Sequence, residues 1–216
     1  MNSIWRAIQN TKHRILMAAL VFAALAASVQ PTAAQKKNIK FNLFPHPKFL
    51  GCLGQGKEKP EAEVSIHRGP LADVLTVTAK NIKPNLSFDM FTVQRSALLS
   101  DGSIDPNFTT FGLAWYQSDL QANREGKFTA SIRTILLDQI FGFDPDVALT
   151  PVNTFHIGFW FNDPKAAKAC GFDDTHPTPF NGEHSAGPVA MISVPDPDTN
   201  LGPLCTSPNS DGTCNP

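Results

Sequence analysis

Residues 154–161, TFHIGFWF, constrain the fold more than any other stretch of the chain. In an extended strand, successive side chains point to opposite faces. Phe155, Ile157, Phe159 and Phe161 therefore share one face, and His156, Gly158, Trp160 and Asn162 share the other. An unbroken row of large apolar side chains requires a second layer to cover it. On the opposite face His156 stands beside Trp160, so it is expected to be covered in part.

Other segments carry the same signal. In DVLTVTAKNI, Leu75, Val77 and Ala79 lie opposite Thr76 and Thr78. Strict alternation with β-branched residues predicts a half-buried strand. AEVSIHRG, LSFDMFTVQR, LAWYQSDL, KFTASIRT and PVAMISVP predict further strands. Asn123 and Gly126 suit the first and fourth positions of a type I turn, which predicts a hairpin of 115–120 with 127–134. IRTILLDQIF also has helical spacing, so that second strand is expected to run into a helical turn. About seven strands with little long helical periodicity predict an all-β fold, an antiparallel β-sandwich with long loops. Fifteen of the 16 phenylalanines lie beyond residue 34, against a single tyrosine. They read as a bulky dry core, with an apolar ligand cavity as the sharper alternative.

The first 34 residues read as a leader. Arg6, Lys12 and Arg14 precede the apolar stretch ILMAALVFAALAASV, and PTAAQ supplies small residues at Thr32 and Ala34. This is the pattern of a secretory signal peptide cut after Ala34. The apolar run is shorter than the roughly 20 residues of a membrane span. The alternative is an uncleaved anchor. Cleavage would remove three basic residues and no acid, leaving 15 Lys+Arg against 19 Asp+Glu and a net charge of −4. That balance does not suggest nucleic-acid binding. The expected organisation is a leader at 1–34, an irregular segment at 35–60, a β-sandwich domain at 61–195 and a Pro-rich, disulfide-closed tail at 196–216.

Four cysteines follow the leader: Cys52, Cys170, Cys205 and Cys214. An even count in a secreted chain reads as disulfides, and no C-x-x-C zinc spacing occurs. Three pairings are possible. The favoured one joins Cys205 to Cys214 in a small loop and Cys52 to Cys170 as a long staple. His46, between two prolines, reads as an exposed loop histidine.

One corner carries a resemblance. LTVTAKNIKPNLSFDMFTVQ resembles the strand–corner–strand of immunoglobulin-like and fibronectin-type-III-like sandwiches, with Ile82, Pro84 and Phe88 in the apolar, proline and aromatic places. Phe88 stands where tyrosine is usual, so the hydroxyl hydrogen bond of that corner is missing. The chain as a whole, WYQSDLQANREGKFTA included, looks like uncharacterised secreted bacterial sandwich proteins. The resemblance implies a fold and no activity.

The segment 155–184 gathers most of the candidate chemistry. In NDPKAAKACG, Asp163 precedes Pro164, helix formers and Gly171. That is a cap-to-stop signature, so a short helix near 164–170 with Asp163 as its cap is expected. The following loop holds Asp173, Asp174, His176, Glu183 and His184. These residue types suit a divalent metal, but the spacing has no helical H-x-x-x-H. The bland alternative is a solvated loop making local turns. No nucleophile elbow, P-loop or dinucleotide fingerprint occurs. The primary expectation is a secreted, disulfide-stabilised module that binds an unknown extracellular ligand or protein, or serves a surface or structural role. It has no nucleic-acid partner, no cofactor and no membrane association after cleavage. The alternative is a metal-dependent secreted hydrolase. His156, Trp160, Asp174, His176 and His184 are the candidate ligand or metal residues.

Overall fold

The strand that begins the fold lies where the sequence suggests only loop. In the computed structural model, which describes residues 38–134, 155–178 and 186–205, strand β1 spans Asn38–Pro45. A 3₁₀ turn, Pro47–Phe49, and a short helix α1, Leu50–Leu53, follow it. The irregular character expected for 35–60 is thus replaced by a strand and two helical turns over much of its length. The reason is context: NIKFNLFP is only weakly apolar, but its backbone pairs with a neighbour on each side. Residues 38–43 pair with β2 (Glu61–His67), and Phe44 and Pro45 pair with β8 (Val189–Ile192). The leader at 1–34 and the ambiguous segment from residue 135 lie outside the described residues.

The remaining strands are β3 (Asp73–Lys80), β4 (Ser87–Val93), β5 (Ala114–Gln121), β6 (Phe128–Thr134) and β7 (His156–Phe161). All pairings are antiparallel, and the order is β5-β4-β7-β8-β1-β2-β3-β6. One half of this sheet, β5-β4-β7-β8, therefore continues into the other, β1-β2-β3-β6, through β1. The two ends of the order approach each other, with the Thr134 hydroxyl donating to Gln117 Oε1 at 2.7 Å. The sheet is nearly barrel-shaped.

The expected hairpin between β5 and β6 opens at its base. Its turn forms: the Gly126 N–H donates to Asn123 O and the Asn123 N–H to Lys127 O. Beyond it the strands separate, because each pairs elsewhere. Leu120 sits opposite Phe88, and Phe128 opposite Ala79. Gly126, at φ 72°, is required here: a Cβ would come within 2.0 Å of Ile82 O. The Ile82 N–H in turn donates to Gly126 O, locking the Ile82–Pro84–Phe88 corner onto the turn.

The main core fills the space between the two halves. Val64, Ile66, Leu75 and Val77 face Phe88, Met90, Phe159, Phe161 and Met191. Phe88 is central, 4.8 Å from Phe159, 5.7 Å from Phe161 and 6.1 Å from Phe128 between ring centroids. Such ring pairs contribute beyond their area burial. A second core lies on the outer face of β4 and β7. There Trp160 packs edge-on against Phe91 and Phe111 at 5.4 and 4.9 Å, beneath residues 94–113. Gly158 makes room for it, since a Cβ there would stand 3.1 Å from the indole. His156 and Trp160 are accordingly buried, not partly covered.

The expected helix is present as a 3₁₀ helix, Pro164–Cys170. Asp163 caps it by accepting the Lys165 N–H at 2.9 Å, and Gly171 ends it at φ 79°. Cys170 bonds to Cys52 across 118 residues, tying this helix to α1. The expected Cys205–Cys214 bond ends at Cys214, outside the described residues. The start of the tail is held by packing as well: Leu201 and Leu204 are buried, and Leu204 joins the main core. Among the described residues no helix is long and apolar enough to cross a membrane.

Removing the staple tests its weight. The Cys52→Ala, Cys170→Ala variant is expected to lose about 2–5 kcal/mol in urea unfolding. An unchanged midpoint and slope would show that the ring core alone holds α1 against the 3₁₀ helix.

Candidate functional site

The cluster suggested by 155–184 separates into local pairs. Asp173 Oδ1 accepts the Thr175 hydroxyl and N–H, while its Oδ2 pairs with His176 Nδ1 at 2.7 Å. The Thr175 hydroxyl and then His176 hold the Asp173 carboxyl down, at about 2. Asp174 takes the Lys168 ammonium at 3.0 Å. His176 and Asp173 are both exposed. Glu183 and His184 lie outside the described residues. Among the described residues no group of three or more His, Cys, Asp or Glu side chains is placed to hold a metal ion.

His156 stands apart from that loop. It opens β7, 4% exposed, with Nδ1 at 3.1 Å from both the carbonyl oxygen and the hydroxyl of Ser193. A carbonyl oxygen can only accept, so Nδ1 carries the proton. Ser193 Oγ meanwhile accepts the Ile157 N–H at 3.2 Å. Burial drives the imidazole down to about 4, against a smaller opposing effect of the Ser193 carbonyl. The ring is therefore neutral at physiological pH, and its Nε2 is an acceptor.

His156 also lines a cavity of about 340 Å³. The cavity is open to the surface and is lined by residues within 94–99 after β4, by others within 105–110 of the same connection, and by Pro195, Asn200 and Leu201 of the chain beyond β8. Local turns hold these walls. Asp105 Oδ1 accepts the Asn107 N–H, the Asp105 N–H donates to Ala97 O, and Asp196 accepts from Asp198 and Thr199. With Nδ1 committed to Ser193, Nε2 has no hydrogen-bond partner among the described residues, which leaves it to the cavity side. Its volume lies at the lower end of the roughly 300–1,000 Å³ of small-molecule pockets. A mostly buried polar atom without a partner costs free energy that a ligand donor can recover.

A wider groove of about 1050 Å³ runs over the outer face of β1–β3 and β6. Its charged groups include the Lys80–Glu61 pair at 2.9 Å, and Glu63 on this face pairs with Lys40 at 2.9 Å. Exposed pairs of this kind contribute little.

Of the sequence candidates, His156 lines the cavity and Trp160 supports it from the second core. Asp174 and His176 belong to surface turns. The walls at Arg95, Asp105, Thr109 and Asn200 carry no signal in the sequence, because they come from turn-rich segments with no motif linking them. His46 also differs from expectation. It is buried, its ring 5.1 Å from Phe49, and burial followed by the nearby Lys48 lowers its protonation point. No family model, no curated protein and no solved structure matches the chain.

The neutral histidine has a pH signature. Its folded value lies below the ordinary 6.5, so the unfolded chain takes up a proton first as pH falls. Stability should therefore drop from pH 6.5 toward pH 4, by about 3 kcal/mol from this group, and be fully present above 6.5. Asp101, Asp173 and Asp196, each held down by hydrogen bonds, lose their contributions in a lower window, below 3.8. Urea unfolding across pH should show a shallower upper window in His156→Gln, with His46 supplying what remains there. Parallel profiles for the two proteins would refute a buried neutral His156.

Proposed function

We propose that the protein is a secreted, disulfide-stabilised binding module that takes a small ligand in the cavity at His156. One observation carries this reading: a nearly fully buried histidine offers an unpartnered acceptor to a recess of about 340 Å³ that opens to the surface. The Cys52–Cys170 bond supports an oxidising compartment. The basic, apolar and small-residue order of residues 1–34 supports export. For the fold, the finer reading is an immunoglobulin-like sandwich, supported by the Ile82–Pro84–Phe88 corner and by two halves that face one core. In that reading β1 is the strand that switches between sheets. The metal-hydrolase alternative has no assembled ligand set among the described residues.

Two measurements test the proposal. N-terminal sequencing of protein recovered outside the cytoplasm should begin at Gln35, and an intact Met1 would contradict export by cleavage. A thermal-shift screen of small polar molecules on the purified protein should give stabilising hits. Those hits should disappear in Thr109→Trp, which fills the cavity mouth from an exposed position. No hit, or equal hits in the variant, removes the binding reading.

A further inference from the structure

The cavity's polar groups restrict what it can hold, and the inference here rests on the binding reading above. Arg95 lines the cavity, and its guanidinium has no ion pair or hydrogen bond among the described residues. Asp105 contributes a carboxylate with one oxygen on the Asn107 N–H and the second uncommitted among the described residues. His156 contributes the acceptor Nε2. Phe108 and Leu201 supply an apolar wall.

Each simple ligand class leaves part of this arrangement unused. A fully neutral molecule leaves the Arg95 guanidinium without an ionic partner from the ligand. A small anion with no donors leaves both acceptors, the Asp105 carboxylate and His156 Nε2, unsatisfied. An α-amino acid carries its ammonium on the carbon beside its carboxylate, which brings a second cation up to Arg95. The two acceptors, however, come from separate segments, one at the start of β7 and one in the 94–113 connection. Two hydroxyl donors and a carboxylate on one ligand would serve both acceptors and Arg95.

We infer that the cavity binds a hydroxylated carboxylate of the sugar-acid class. Its carboxylate pairs with Arg95, its hydroxyls donate to His156 Nε2 and to Asp105, and its C–H face rests on Phe108 and Leu201. A bidentate guanidinium–carboxylate pair supplies orientation as well as affinity.

Calorimetric titration of the purified protein with glucuronate, galacturonate, glucose, galactose and serine tests this. At least one uronate should bind, with the matching neutral sugar and serine weaker by about tenfold or more. Arg95→Gln, at an exposed position, should reduce uronate affinity by about 10- to 100-fold and bring it close to that of the matching neutral sugar. The His156 imidazole resonances should move on uronate binding. Equal affinity for the neutral sugars, tighter binding of serine, indifference to Arg95→Gln, or no binding of any of the five would overturn the ligand class. If the screening hits still vanish in Thr109→Trp while the uronates fail, the class falls and the cavity reading stands. If the hits fail too, both fall.

Discussion

The structure depends on β7 being buried on both faces. Phe159 and Phe161 pack inward on Phe88, while Trp160 packs outward on Phe91 and Phe111. A strand buried this way must be central, and it lies between β4 and β8. Its outer face also needs cover that no strand among the described residues provides. Residues 94–113 supply it, and so they are anchored: the Gln94 N–H donates to Leu113 O and the Arg95 N–H to Phe111 O. The cavity is a consequence of this arrangement. It forms where that connection, folded back to seal Trp160, meets the chain leaving β8 beside His156.

Much of the fold was legible where a local rule decides it. Strict alternation marked β3, and its Leu75, Val77 and Ala79 are buried as expected. Asp163, Pro164 and Gly171 act through hydrogen bonds and dihedrals within ten residues, so the short helix could be read directly. The even cysteine count led to Cys52–Cys170. β1 was illegible because its strand character comes from partners roughly 25 and 150 residues away. The opening of the β5–β6 hairpin has the same origin. Its turn is local and present, but β4 and β3 compete successfully for the two strands.

The site was less legible than the fold, for a related reason. Residue types clustered in sequence, such as Asp173, Asp174 and His176, satisfy one another or a neighbouring lysine in the turns they create. Proximity along the chain thus spent their chemistry locally. The groups that converge in space come from three segments far apart in sequence. Of these, the sequence marks only His156, as a histidine on the face of a tryptophan, and that pattern does not show the extent of its burial. What hid it was the apolar content of the 94–113 connection. Phe108 and Phe111 stand among so many turn residues that the segment reads as polar.

His156 is the point at which packing and chemistry diverge. A residue kept only to fill the outer core would serve better as leucine or phenylalanine, since a buried imidazole lowers stability whenever the unfolded chain can take up a proton. Here one nitrogen is fixed by Ser193, which also receives the Ile157 N–H, so the ring is held in one tautomer and one orientation. That constraint serves no packing purpose, because an apolar ring needs no such anchor. It does fix where the lone pair of Nε2 points. A buried acceptor held rigid on one side and open to a cavity on the other is what a binding site requires, and the stability it forgoes is recoverable by a ligand that brings the missing donor.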